Sequence, residues 1–149
     1  MIDQNILDFS QHSMCYSPFS LFHALLILTQ CANDESIAEL KKVMSIDNQQ
    51  LLELQNALSK DESIQIASNI FSKYIDNMTP AFVDKMMEMF HMLPEKIQSV
   101  EQINKWCADH TNNKITNFIQ QINFDTIILS AIHFKANWQT QFETRATTK

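Results

Sequence analysis

An α+β architecture, left incomplete within 149 residues, follows from three features of the chain. Helical spacing of apolar residues fills most of the sequence up to Leu58 and returns from Thr79 to Phe118. One strand pattern covers residues 64–72, and a second covers residues 126–138. The second is unusually long. Its 13 residues would span roughly 43 Å at about 3.3 Å per residue, more than twice a typical strand. A strand of that length needs neighbours on both sides, and only residues 64–72 are on offer, with 11 residues following Trp138. The expectation is that residues 1–149 are part of one domain.

The elements follow in order. Ser17-Pro18 supplies an N-cap and an N1 proline. Phe19 to Cys31 is then apolar almost all round, interrupted by Ser20 and His23, so this helix is expected to be buried. Asn33-Asp34 caps a second helix with Ile37, Leu40, Val43 and Met44 on one face. Leu51, Leu54 and Leu58 mark a third, ended by the polar turn 59–63. Ile64, Ile66, Ser68 and Ile70 alternate with Gln65, Ala67 and Asn69 as a strand. Thr79-Pro80 opens a helix faced by Phe82, Met86, Met89 and Phe90, with Pro94 to end it. Ile103, Trp106, Cys107 and His110 line another, whose pattern reaches Phe118 across a turn signal at Asn112-Asn113. In the last segment the even positions read Thr126, Ile128, Ser130, Ile132, Phe134, Ala136 and Trp138. This predicts a strand buried on both faces at its start and on one face near its end.

Composition removes several functions. The sequence has no glycine, where average usage would give roughly ten. Phosphate-cradling loops, dinucleotide fingerprints and nucleophile elbows are thereby excluded. Turns that need positive φ must fall on Asn or Asp. A net charge of −6 with a single arginine, Arg145, argues against nucleic acid. The longest apolar run, Phe19 to Leu28, is about half a membrane span, so no membrane partner is expected. The first residues carry no basic and apolar leader pattern. Cys15, Cys31 and Cys107 are an odd set, read as reduced thiols in a cytoplasmic protein.

The ordered motifs together resemble the N-terminal portion of a serpin. Met14-Cys-Tyr-Ser-Pro-Phe-Ser20 looks like the family's short strand entering its second helix. Ile66-Ala-Ser-Asn-Ile-Phe71 is similar to the second strand of the central sheet. Ile103-Asn-Lys-Trp106 followed by Thr111-Asn-Asn-Lys-Ile115 resembles the helix that covers the sheet. Thr126 to Trp138, with Phe142 and Thr147, is close to the signature of the third strand. The style is nearest the intracellular ovalbumin-type clade. Three positions depart from pattern: Ser130 stands where the family has Asn, and Asn113 and Ala136 replace glycines. The opening helix and the start of the covering helix are shortened.

This resemblance implies the long strands of the serpin central sheet, with the reactive-centre loop and C-terminal barrel strands lying outside residues 1–149. It implies a protease inhibitor, not an enzyme, whose cleaved loop enters the sheet as a new strand and carries the acylated protease with it. Its partners would be the target protease, reached through that loop, and the remainder of its own domain. By the same resemblance Ser17, Pro18, Ser20 and Ser130 form the shutter and Trp138 sits at the breach. Ile128, Ile132, Phe134 and Lys135 lie on the strand beside which the loop inserts. A serpin-like interaction protein that inserts no loop is the alternative. No catalytic residue, metal or cofactor is implied.

Competing chemistry is outweighed by packing. His12-x-x-Cys15 and Cys107-x-x-His110 could supply four zinc ligands, yet Cys107 and His110 also fit a helix packing face. Cys31 or Cys107 with a histidine lacks any nucleophile signature. His133 reads as a polar-face residue. Met86, Met87, Met89 and Met92 could form an adaptable groove, but their spacing with Phe82 and Phe90 suits a core. Asn77-Met-Thr79 matches a glycosylation sequon and equally the turn before a helix.

Overall fold

The computed structural model describes residues 17–44 and 48–140. Three helices come first: α1 (Pro18–Thr29), α2 (Asp34–Met44) and α3 (Asn48–Leu58). Then follow β1 (Ile64–Ser72), α4 (Pro80–Phe90), β2 (Glu95–Lys96), α5 (Val100–His110) and β3 (Thr126–Phe134). The sheet has the order β2-β1-β3.

Local chemistry sets the helix ends. Ser17 Oγ accepts the Ser20 amide at 3.2 Å and Thr79 Oγ1 accepts the Phe82 amide at 3.3 Å, each one residue before a proline. Asn33 Oδ1 accepts the Ser36 amide at 2.9 Å, opening α2. Helix α4 stops at Phe90, earlier than Pro94 requires. His91 takes the left-handed conformation (φ 52°) and its amide closes the helix end. Asn112 and Asn113 also have positive φ, at 50° and 57°, so a histidine serves beside the two asparagines in this glycine-free chain.

β1 pairs antiparallel with β3 from Ile64↔Phe134 to Ser72↔Thr126, and parallel with β2 at Phe71↔Glu95 and Ser72↔Lys96. Alternation splits the core into two layers. Ile70 and Ile128 join Leu26 and Ile27 of α1, Met86 and Phe90 of α4, and Met92 just past α4, beneath the sheet. Phe71, Ile127 and Leu129 meet Ile103 and Cys107 of α5 above it. Burying each large side chain of these layers stabilises by about 1.5–3 kcal/mol. The methionines therefore serve mainly as core: Met86 and Met92 are buried, while Met87 is partly exposed.

Four expectations need correction. β3 ends at Phe134 and not at Trp138, because β1 begins at Ile64 and offers only one further bond, Lys135 N–H to the Ser63 carbonyl at 2.8 Å. A strand without a partner has nothing to close its ladder. α5 starts at Val100, capped by Ser99, and ends at His110, so residues 111–118 are not helical. α1 is not buried all round: Leu21 and Leu28 are exposed where no described element covers them. β2, two residues long, was not expected at all. Residues 14–16, with Cys15, lie outside the described residues, as do His12, Phe142, Arg145 and Thr147.

Candidate functional site

One side of the sheet that no described strand covers is the outer edge of β3. Lys135 N–H donates to Ser63 at one end of the ladder, and Lys73 N–H donates to the Asp125 carbonyl at 2.9 Å at the other. Bonded and non-bonded pairs alternate along an antiparallel ladder. Odd-numbered residues of β3 therefore aim their backbone groups at β1. Thr126, Ile128, Ser130, Ile132 and Phe134 turn theirs outward, to an edge that no described strand covers. This is a row of donors and acceptors ready to pair with another extended segment.

Side chains divide differently. Ser130 stands opposite Ser68, so both point to the α1 side of the sheet. Ser130 Oγ is buried and has no hydrogen-bond partner among the described residues. Ser17 and Ser20 thus do not bond it; Ser17 is occupied by the α1 cap, and Pro18 is the exposed first helical residue. Ile128 and Ile132 are partly buried, whereas Phe134 is 67% exposed. Lys135 lies just past β3 with its amide on the β1 side. Trp138 is 71% exposed, outside the strand.

A polar cluster missed in the sequence lies beneath this sheet. His23, 2% exposed, sits with Nδ1 2.8 Å from Ser68 Oγ and Nε2 2.7 Å from Gln55 Oε1. Gln55 Nε2 donates to the Met89 carbonyl at 3.3 Å, so its Oε1 faces His23 and Nε2 carries the imidazole proton. Ser68 then donates to Nδ1. Phe19 stacks on the ring at 5.5 Å and Phe90 meets it edge-on at 5.4 Å. Burial pulls the imidazole below its ordinary pKa, against a smaller rise from the Gln55 bond. The available signal was polar residues at positions expected to be apolar.

Above the sheet, Trp106 of α5 meets Phe71 edge-on at 6.3 Å and stacks with His110 at 4.3 Å. Asn104 holds the chain after α5: its Oδ1 accepts the Phe118 and Ile119 amides at 2.9 Å, and its Nδ2 donates to the Ile119 carbonyl. His110 Nδ1 is 2.8 Å from the Trp106 carbonyl, and Cys107 is buried in the α5 layer, where burial pushes its thiol pKa up. Among the described residues no three His, Cys, Asp or Glu side chains gather as metal ligands. Nor is any described helix long and apolar enough to cross a membrane.

The model of the family described as "Serpin (serine protease inhibitor)" matches residues 3–149. The chain belongs to the serpin family. Serine proteinase inhibitor 2 of Myxoma virus (strain Uriarra) is 30% identical over 133 residues, covering 85% of this chain and 36% of that protein. Neuroserpin of Gallus gallus is 25% identical, covering 97% and 38%. Emu ovalbumin superposes with a TM-score of 0.80 at 20% identity, covering 92% of this chain and 44% of that one. Manduca sexta serpin-12 gives 0.79 at 22% identity, covering 94% and 44%. The chain thus spans about two fifths of the length of these relatives, and its helices and three-stranded sheet are a partial α+β serpin fold.

Proposed function

We propose that this chain belongs to a serine-protease inhibitor that traps its target by inserting a cleaved reactive loop beside β3. The observation that carries the reading is the outer edge of β3, where alternate residues from Thr126 to Phe134 offer backbone groups to an incoming strand. The similarity to an inhibitor of serine proteinases supports the target class. In this mechanism the protease's serine attacks the loop's peptide bond and releases the downstream amine. The acyl-enzyme is then caught as the loop pairs with β3. No residue of this chain performs the chemistry. Ile128, Ile132, Phe134 and Lys135 serve as the rail, Trp138 as the point where insertion starts, and Ser17, Pro18, Ser20 and Ser130 as the shutter beneath. α5 covers the sheet and must yield. We take the compartment to be the cytoplasm, where the free thiols Cys31 and Cys107 stay reduced.

One observation favours a second reading, a serpin-like interaction protein that inserts nothing. Ser130 Oγ is buried without a partner at the position where the resemblance calls for an asparagine. Incubating the protein, as its gene encodes it, with a panel of serine proteases separates the two. An SDS-stable covalent complex with at least one protease is the expected result. Cleavage of the loop with no such complex, by every protease tried, overturns inhibition and leaves the second reading.

A further inference from the structure

We propose that the neutral imidazole of His23 clamps β1 to α1 and α3, and that protonating it in mild acid releases the clamp. Three elements meet at this ring. His23 belongs to α1, Ser68 to β1 and Gln55 to α3, and Gln55 reaches on to the Met89 carbonyl of α4. The sequence separations of 32 and 45 residues make these tertiary ties and not local ones. A neutral ring satisfies all of them: Nε2–H donates to Gln55 and Nδ1 accepts from Ser68.

A second proton changes the balance. Ser68 must turn its hydroxyl round to accept, and a full charge appears between the rings of Phe19 and Phe90. Among the described residues, the ring's hydrogen-bond partners are both uncharged. α1 carries no charged side chain, β1 faces the ring with Ser68 and α3 with Gln55. A cavity of about 590 Å³ adjoins the cluster, and its titratable wall residues besides His23 are His91, Glu95 and His110. Glu95 is its one carboxylate and is already held by Asn69 Nδ2 at 2.6 Å and Gln102 Nε2 at 3.2 Å. An imidazolium here is therefore relieved most readily by water entering from the cavity as β1 parts from α1. His23 is thus a positioning residue for the sheet. For its effect on loop insertion the clamp rests on the inhibitor reading above; the clamp itself does not.

The experiment is amide hydrogen exchange by mass spectrometry on the protein as its gene encodes it, at about pH 7.5 and about pH 5.5. Labelling times are scaled to the pH dependence of chemical exchange. In the wild type, peptides of α1 and β1 should lose protection by up to about tenfold for each pH unit between the unfolded imidazole pKa of 6.5 and the lower folded value, with no further loss below it. His23→Gln should abolish that pH dependence. Equal protection of β1 at both pH values, or the same loss in His23→Gln, overturns the clamp. Should His23→Gln fail to fold, Gln55→Glu places a carboxylate beside Nε2 that offsets the imidazolium, and the loss of protection in acid should shrink or vanish. An unmoved profile then counts against the clamp. Covalent complex formation at neutral pH is scored on the same samples: its absence overturns the inhibitor reading and leaves the exchange result to decide the clamp alone.

Discussion

Truncating Ile103 to alanine tests how α5 is fastened over the sheet. The side chain is fully buried among Phe71, Cys107 and Leu129, with Trp106, Ile119 and Phe124 around it. The substitution removes about three methylene equivalents, about 2.4 kcal/mol at about 0.8 kcal/mol each. An unrelaxed cavity adds about 1–2 kcal/mol, placing the loss near 4 kcal/mol and inside the range of about 2–5 kcal/mol for such changes. With a urea slope of about 2 kcal/mol per molar, the midpoint should fall by about 2 M. Ile115→Ala is the control: that side chain is 46% exposed, and its loss should cost under about 0.5 kcal/mol. A loss for Ile103→Ala below about 1 kcal/mol, or equal to the control, would refute the packing described for α5.

Four further outcomes are expected. An imidazole depressed by burial contributes stability that is complete above the unfolded pKa of 6.5 and lost as pH falls toward its folded value. Thermal melts across that window should show Tm falling in acid for wild type and a flatter profile for His23→Gln. Ser130→Ala deletes a buried hydroxyl with no described partner and should raise stability by about 1 kcal/mol, read by denaturant midpoint. His91→Gly relieves a left-handed histidine at the end of α4 and should stabilise by about 0.5–1 kcal/mol on the same assay. Alkylation at neutral pH, mapped by peptide mass, should modify exposed Cys31 well before buried Cys107.

What the sequence made legible was local. Ser17-Pro18 and Thr79-Pro80 announce helix starts because the cap hydroxyl and the bonded amide are three residues apart. Alternation over residues 64–72 identifies β1 because period two is a property of one segment. The α+β serpin fold was readable for the same reason, as short motifs in a fixed order. Tertiary facts were not. The end of β3 depends on where β1 begins, so apolar alternation up to Trp138 overstated the strand. His23 looked like a flaw in an apolar helix, because its partners lie far along the chain. β2, at two residues, carries no periodicity to find. Helix α4 ended on a histidine in a conformation usually left to glycine or asparagine, which spacing rules give to Pro94 instead.

The proposed inhibition requires the outer edge of β3 to accept a new strand. Amide exchange over residues 126–134, before and after a protease cleaves the proposed reactive loop in the protein as its gene encodes it, tests that directly. The amides of Ile128, Ser130, Ile132 and Phe134, which no described strand covers, should pass from fast to slow exchange on cleavage as the inserted strand pairs with them. Exchange at these amides that stays fast after complete cleavage would contradict the account.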